Sequence, residues 1–240
     1  MAEPTPLAEM RGVWREFGGI VALRDIDLAV AAGEIVALIG PNGAGKTTLL
    51  NILSGVLGPT RGEVRFRGTS IVGSAPHRAA RAGLTRTFQQ LQLFTSLSAL
   101  ENVLVACEAR SSARVDPSEA MGYLDTVGLH GQGHAHADTL AFGQRRLVEM
   151  GRALAARPAL LLLDEPAAGL SGAERRALSE LLIRIRAQGV TVLIVEHDLE
   201  LALSVADRVV VLDQGVKIAD LPPHAVRDDA RVVSAYLGTP

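Results

Sequence analysis

The sequence is poor in several things, and each scarcity excludes something. One cysteine, Cys107, occurs among 240 residues, which rules out an intrachain disulfide and suits a reducing compartment. No apolar run approaches the roughly 18 residues that a membrane span requires. Residues 1–15 carry no apolar signal core, so nothing there suggests export. Charge of either sign is close to balanced: the net charge is −2 and the pI near 6.3, which argues against a duplex-DNA surface. There are no internal repeats and no low-complexity linkers. Aromatics make up only 3% of the chain, so an aromatic beside a candidate site stands out. Lysine is the most telling shortage, because Lys46 and Lys217 are the only two among 24 basic residues and arginine supplies the rest.

Apolar material is ample. Hydrophobic residues reach 48% and mean hydropathy +0.24, but 35 alanines account for much of that, so composition alone does not demonstrate a membrane partner. The length fits one large domain, or one domain with an inserted lobe, and allows a substantial core.

One of the two lysines lies in Gly40-Pro41-Asn42-Gly43-Ala44-Gly45-Lys46-Thr47-Thr48. This stretch follows an apolar run at 34–39 and opens a helical pattern at 48–53. Strand, glycine-rich loop and helix in that order is the setting of a phosphate-binding loop. Glycines let successive backbone N–H groups point inward, and the following helix aims its positive end at the same spot. Lys46 supplies a compact charge for the outer phosphates, which a flat guanidinium cannot do inside such a nest. Thr47 offers a hydroxyl to Mg²⁺. The stretch predicts binding of a nucleoside triphosphate.

Residues 7–15 and 26–30 are predicted strands near a Gly18-Gly19 turn. Phe17 sits at that turn, with Trp14 three residues earlier. An aromatic there could stack on a purine, worth about 1–3 kcal/mol, or be an ordinary core residue. In an unbroken strand the two rings face opposite sides, so at most one stacks. Beyond the loop helix, 63–67 reads as a strand, 75–82 as a helix and 84–87 as a strand. Gln89 leaves that strand, where an amide can ligate a metal or hold a water, or be a polar loop residue. From Leu97 the period becomes helical, with helices predicted over 98–109 and 117–127 and an exposed loop at 111–114. Residues from about 90 to 155 thus form a helical lobe inserted into an α/β domain. Cys107 is a small core residue of that lobe. His130, His134 and His136 form a solvated loop, since no cysteine or carboxylate accompanies them at ligand spacing.

Leu140-Ala141-Phe142-Gly143-Gln144 precedes a helix predicted over 145–155. Gly143 would leave the helix N-terminus open to close approach of an anion; read alone, the stretch is a helix start. Four leucines at 160–163 then lead into Asp164 and Glu165. An uninterrupted apolar run suits a central parallel strand covered on both faces, and ligands sit at the carboxyl ends of such strands. Asp164 would hold Mg²⁺ through water, opposite Thr47. Glu165, one step on, is placed to orient or deprotonate an attacking water, help typically worth about 10²–10⁴ in rate. A second buried strand at 191–195 leads to His197, which at a strand end can hydrogen-bond a γ-phosphate or simply make a turn. Helices at 172–188 and 198–205, a strand at 208–212, a Gln214-Gly215 hairpin into 216–219, Pro222-Pro223 and a closing helix at 228–236 complete the chain.

Taken together, the motifs resemble the ATP-binding subunit of an ABC (ATP-binding cassette) transporter over about residues 7–238, in the required order. Residues 40–48 resemble the Walker A loop and 160–165 the Walker B strand with its catalytic glutamate. Gln89 resembles the Q-loop residue, His197 the switch histidine, Phe17 the adenine-stacking aromatic, and 140–144 the family signature. Two motifs depart from the pattern. Ala141 and Phe142 replace Ser and Gly of Leu-Ser-Gly-Gly-Gln, so no side-chain hydroxyl is available and only backbone groups around Gly143 remain. Ser171 stands where the D-loop aspartate is usual. Both departures resemble the branched-chain amino-acid importers, whose ATPases often read Leu-Ala-Tyr-Gly-Gln and, as at 166–170 here, Pro-Ala-Ala-Gly-Leu. Residues 17–19, the Arg86-Thr87-Phe88-Gln89 run and the tail at 235–238 look like the same subgroup.

The resemblance implies an α/β fold: a P-loop NTPase (RecA-like) core with an N-terminal antiparallel β region and an inserted α-helical subdomain. It implies ATP and Mg²⁺ as ligands. Phe17, residues 40–48, Gly143 and Gln144 would bind nucleotide, while Thr47, Gln89 and Asp164 would meet the metal. Glu165, His197 and Gln89 would be catalytic. Two such domains, identical or different, would sandwich two ATP molecules head to tail. The partners implied are integral-membrane permease subunits and, indirectly, a solute-binding protein, with no nucleic acid. The place of work would be cytoplasmic, peripheral on the inner face of the plasma membrane. Branched-chain or related amino acids are the expected solute, with urea, short amides and aromatic acids served by similar ATPases. An ABC-type ATPase acting on nucleic acid or ribosomes usually carries a long coiled-coil insertion or two cassettes, and neither is present. A P-loop small-molecule kinase leaves residues 140–144 and His197 unaccounted for.

Overall fold

Gly18 and Gly19, with φ of 51° and 91°, turn strand β1 (Ala8–Phe17) back onto β2 (Ile20–Val30). This computed structural model of the protein describes residues 5–111 and 114–237. The two strands are longer than the sequence pattern predicts, because cross-strand pairing carries the irregular residues 20–25 into the ladder. Next come β3 (Ile35–Ile39), α1 (Lys46–Leu53), β4 (Arg61–Phe66), β5 (Thr69–Ser70), α2 (Pro76–Arg81) and β6 (Leu84–Arg86). Three helices follow, α3 (Ala99–Arg110), α4 (Pro117–Thr126) and α5 (Phe142–Ala155). The chain then alternates through β7 (Leu160–Asp164), α6 (Gly172–Ala187), β8 (Thr191–Val195) and α7 (Leu199–Val205). It ends with β9 (Arg208–Asp213), β10 (Val216–Leu221), a 3-10 turn at Pro223–Ala225 and α8 (Ala230–Leu237).

Two sheets result. One is antiparallel, in the order β2-β1-β4-β5; the other runs β10-β9-β3-β8-β7-β6. In the second sheet β9, β3, β8, β7 and β6 are mutually parallel and only the edge strand β10 is reversed. β3, β7 and β8 are buried at every residue, as continuous apolar runs require of a sheet covered on both faces. Their side chains alternate between two cores. Ile35, Ala37, Ile39, Leu161, Leu163, Val192 and Ile194 join the core containing α3 to α7. Val36, Leu38, Leu160, Leu162, Leu193 and Val195 join the core containing α1 and the antiparallel sheet. Fully burying one such leucine is worth about 1.5–3 kcal/mol.

Each helix begins where its sequence permits. Ser98 and Ser171 form reciprocal capping boxes with Glu101 and Glu174. α5 starts at Phe142, three residues ahead of the predicted 145, although Ala141 has no side-chain acceptor. Gln144 compensates: its Oε1 accepts from Ala141 N at 3.0 Å. Among the described residues no helix is long and apolar enough to cross a membrane.

Parallel pairing has one consequence for function. The carboxyl ends of β3, β6, β7 and β8 all emerge on the same edge of the sheet, and they carry Gly40, Arg86, Asp164 and Glu196 respectively.

Candidate functional site

The loop leaving β3 is shaped by glycines that nothing larger can replace. A Cβ on Gly40 (φ 150°) would lie 2.1 Å from the Leu212 carbonyl oxygen. One on Gly45 (φ 100°) would lie 2.7 Å from Leu23 Cδ2. The loop is therefore pressed onto β9 and β2, and its backbone must take left-handed turns. Gly45 precedes α1 without a side-chain cap, and the N–H groups of Lys46, Thr47 and Thr48 find no acceptor among the described residues. That leaves a concave ring of donors at a positive helix end. Lys46 curls back over it, donating from Nζ to Gly40 O at 2.6 Å and Pro41 O at 2.9 Å. Burial pushes the Lys46 ammonium down from its ordinary value, while Glu165 and Asp164 pull it back up. Asn42, Gly43 and Thr47 are exposed and Ala44 is buried. Such a cradle suits a polyphosphate.

Opposite the loop stands Glu165, the first residue past β7. It adopts φ 49°, a left-handed conformation that costs a non-glycine residue about 1 kcal/mol or more. Its N–H bonds Val195 O at 2.9 Å, so the strained turn is anchored to β8. The turn delivers its carboxylate between two side chains from other strand ends. Gln89 Nε2 donates to Oε2 at 2.9 Å, and His197 Nδ1 lies 3.5 Å from Oε1. All three residues proposed for catalysis from sequence thus converge. A carboxylate so held can accept a proton, and a neighbouring imidazole can donate or accept a hydrogen bond.

Asp164 is buried, its side chain only 3% exposed, and it is not alone: Arg86 donates from Nη2 to Oδ2 at 2.9 Å. The second oxygen, Oδ1, accepts nothing from the described residues. Asp164 ends β7, as the sequence pattern predicts; its partner Arg86 was not among the candidate residues. Glu196, also buried, holds the turn after Glu165 by accepting from Ala167 N at 2.9 Å. Burial pushes the Glu196 carboxyl up, and that hydrogen bond pulls it back.

The segment after Gln89 is gripped by α5. Arg146 donates to Phe88 O at 3.2 Å and Gln89 O at 3.0 Å, and pairs with Glu149 at 3.1 Å. Glu149 in turn accepts from Gln92 N at 3.3 Å, and Arg152 donates to Gln92 O. Burial pushes the Glu149 carboxyl up, against the pull of Gln92 N and Arg146. Asn102 closes the far end, exchanging bonds with Phe94 N and O at 2.9 and 3.0 Å. No local motif marks this clamp.

Three features of the sequence take a specific form in the structure. Gly143 is buried, and its Cα faces the Glu174 carboxylate: a Cβ there would lie 1.9 Å from Oε1. The tip of α5 is therefore not open on that side; what it presents is the N–H groups of Phe142, Gly143 and Gln144, which no described residue accepts. Ser171 spends its hydroxyl capping α6 through Glu174. As for the aromatics, β1 bulges between Val13 and Arg15, so simple alternation does not apply. Trp14 sits between Arg24 and Arg61, while Phe17 is 43% exposed with one face under the Arg15 guanidinium at 4.3 Å. Phe17 is the more exposed of the two rings. His130 is exposed and lies 3.0 Å from Asp125; His134 and His136 are exposed as well. The tail at 238 and the loop at 112–113 lie outside the described residues.

Oxygen donors suit Mg²⁺, which is commonly held by one or two carboxylates together with substrate phosphates. Asp164 Oδ1, the exposed Thr47 hydroxyl and Gln89 Oε1 are the oxygens that would meet such an ion. No cluster of three His, Cys, Asp or Glu side chains that could cage a metal occurs among the described residues.

The chain is similar to known proteins over nearly its whole length. The family model described as "ABC transporter" matches residues 23–168. The high-affinity branched-chain amino acid transport ATP-binding protein BraF of Pseudomonas aeruginosa is 41% identical, covering 97% of this chain and 98% of its own. An ATP-binding cassette of an ABC transporter, crystallised in its ADP conformation, superposes with a TM-score of 0.88 at 29% identity, covering 97% of this chain and 99% of that one. A cassette solved as a post-hydrolysis dimer with ADP and Pi gives 0.82 at 27% identity, covering 90% of this chain and 98% of that one.

Proposed function

The chain belongs to the ABC transporter family of ATP-binding cassettes, and on that premise we propose that it is the ATP-hydrolysing subunit of an importer for branched-chain or closely related amino acids. The observation that carries the ATPase reading is the meeting of Gln89, Glu165 and His197 one residue beyond Asp164 and across from Lys46. The solute follows from a relative that matches nearly end to end.

In this reading the triphosphate lies in the cradle of residues 40–48, with Lys46 and the free N–H groups of α1 on its outer phosphates. Thr47, Asp164 and Gln89 would hold Mg²⁺, which would supply neutralisation of the phosphate charge. Glu165 takes the proton of the attacking water, and His197 steadies the γ-phosphate end. Phe17 stacks on the base. The N–H groups at Phe142 to Gln144 cap the γ-phosphate held by a second cassette, since a second helix end reaches a phosphate already cradled only from another copy or partner. Gln144 contributes by fixing the shape of that tip. Loss of the γ-phosphate removes what joins the two cassettes, so the pair reopens. The loop after Gln89 passes that motion to permease subunits, and the complex works peripherally at the cytoplasmic face with a solute-binding protein outside.

The test is reconstitution with the membrane subunits that co-purify with the chain. ATP-dependent uptake of leucine, isoleucine or valine into vesicles, lost in Lys46→Ala together with ATP binding, is the expected result. ATP hydrolysis without uptake of any of the three would overturn the solute, and intact ATP affinity in Lys46→Ala would overturn the assignment of the cradle.

A further inference from the structure

Arg86 is a buried cation at the site that the proposed chemistry leaves without a task. It ends β6, and its side chain is only 6% exposed. One guanidinium there binds three side chains from two elements. Nη2 donates to Asp164 Oδ2 at 2.9 Å; Nη1 donates to Asn51 Oδ1 at 2.6 Å and Ser54 Oγ at 3.1 Å. Asn51 and Ser54 belong to α1 and its cap, the helix that starts with Lys46 and Thr47. Gln89 lies three residues beyond Arg86 on the same strand exit. Arg86 thus ties Asp164 to the helix that carries Thr47, and it ends the strand from which Gln89 departs.

We propose that Arg86 is a positioning residue that assembles the oxygen donors for the divalent cation before nucleotide arrives; this rests on the MgATP reading above. By holding Oδ2, Arg86 fixes the carboxylate so that Oδ1, which has no other partner, faces the metal position. Its flat fork suits this task, because it spans a carboxylate on one side and a helix on the other. A lysine reaches one anchor and not both. Because Asp164 already has a full positive charge beside it, a bare cation gains little there. The cation binds well only when the triphosphate supplies further negative charge.

Mn²⁺ serves as the probe, its binding followed by electron paramagnetic resonance with and without ATP, beside ATP affinity measured in EDTA. Losing an outer-shell partner of a metal ligand typically costs about 10–100-fold in metal affinity. Arg86→Met is expected to weaken ATP-dependent Mn²⁺ binding within that range, with ATP affinity in EDTA changed less than about twofold and Arg86→Lys falling in between. If Arg86→Met does not fold, Asn51→Ala combined with Ser54→Ala removes the α1 anchor, keeps Asp164 paired, and is expected to weaken Mn²⁺ binding in the same direction. Wild-type Mn²⁺ affinity in Arg86→Met, or in the double variant where it is the one available, overturns the role of Arg86. A wild-type chain that binds neither ATP nor Mn²⁺ overturns the ATPase reading instead.

Discussion

Gln89 and Glu165 are 76 residues apart in sequence and joined by a 2.9 Å hydrogen bond from Nε2 to Oε2. The bond fixes one oxygen of the carboxylate and leaves the other facing His197. Gln89→Ala should therefore lower ATP turnover by about tenfold through loss of orientation, with nucleotide affinity in EDTA preserved. Steady-state kinetics beside fluorescent-nucleotide titration separates the two.

The Arg146–Glu149 pair, with side chains 6% and 2% exposed, makes a different kind of prediction. Arg146→Met leaves a buried carboxylate without its cation and should cost about 3–5 kcal/mol of stability in urea denaturation. Adding Glu149→Leu should recover much of that loss, since an apolar pair often substitutes for a buried ion pair. Turnover should stay low in both, because Phe88 O and Gln89 O have lost their donor.

Gly143→Ala forces the Glu174 carboxylate away and with it the Ser171 capping box. The expected loss is about 1 kcal/mol, the worth of an N-cap. In a Glu174→Ala background the same substitution should cost almost nothing. A double-mutant cycle on thermal or urea stability measures the difference.

These relationships show what could be read without coordinates. Residues 40–48 were legible because the information is local: glycines, lysine and threonine lie within one turn of chain. The leucines before Asp164 announced a central strand because burial on both faces leaves a run with no alternation. Arg86 could not be found this way. Its partner Asp164 lies 78 residues on, and only the parallel pairing of Arg86 opposite Leu162 brings them together. Arg146 reads as an ordinary surface charge on α5 until the chain from 88 to 94 is folded over it. α5 starts ahead of the predicted residue because Ala141 and Phe142 carry no capping signal, and Gln144 supplies the cap from inside the helix.

Acid sensitivity at α8 follows from Asp229. Its carboxylate accepts from Arg231 Nη2 at 2.6 Å and from the N–H groups of Arg231 and Val232. The Arg231 side-chain hydrogen bond, foremost, holds its pKa down to about 2, against about 3.9 in an unfolded chain. Stability from this group is therefore fully present above about pH 4 and lost as pH falls from there towards 2. The Tm difference between the wild type and Asp229→Ala should be constant near neutrality and shrink steadily below about pH 4.

The most direct test of the account is Glu165→Gln. Turnover should fall by about 10²–10⁴ while ATP still binds, and light scattering should show an ATP-dependent dimer accumulating. Wild-type turnover in Glu165→Gln, or full activity from a species that stays monomeric with ATP bound, would contradict it.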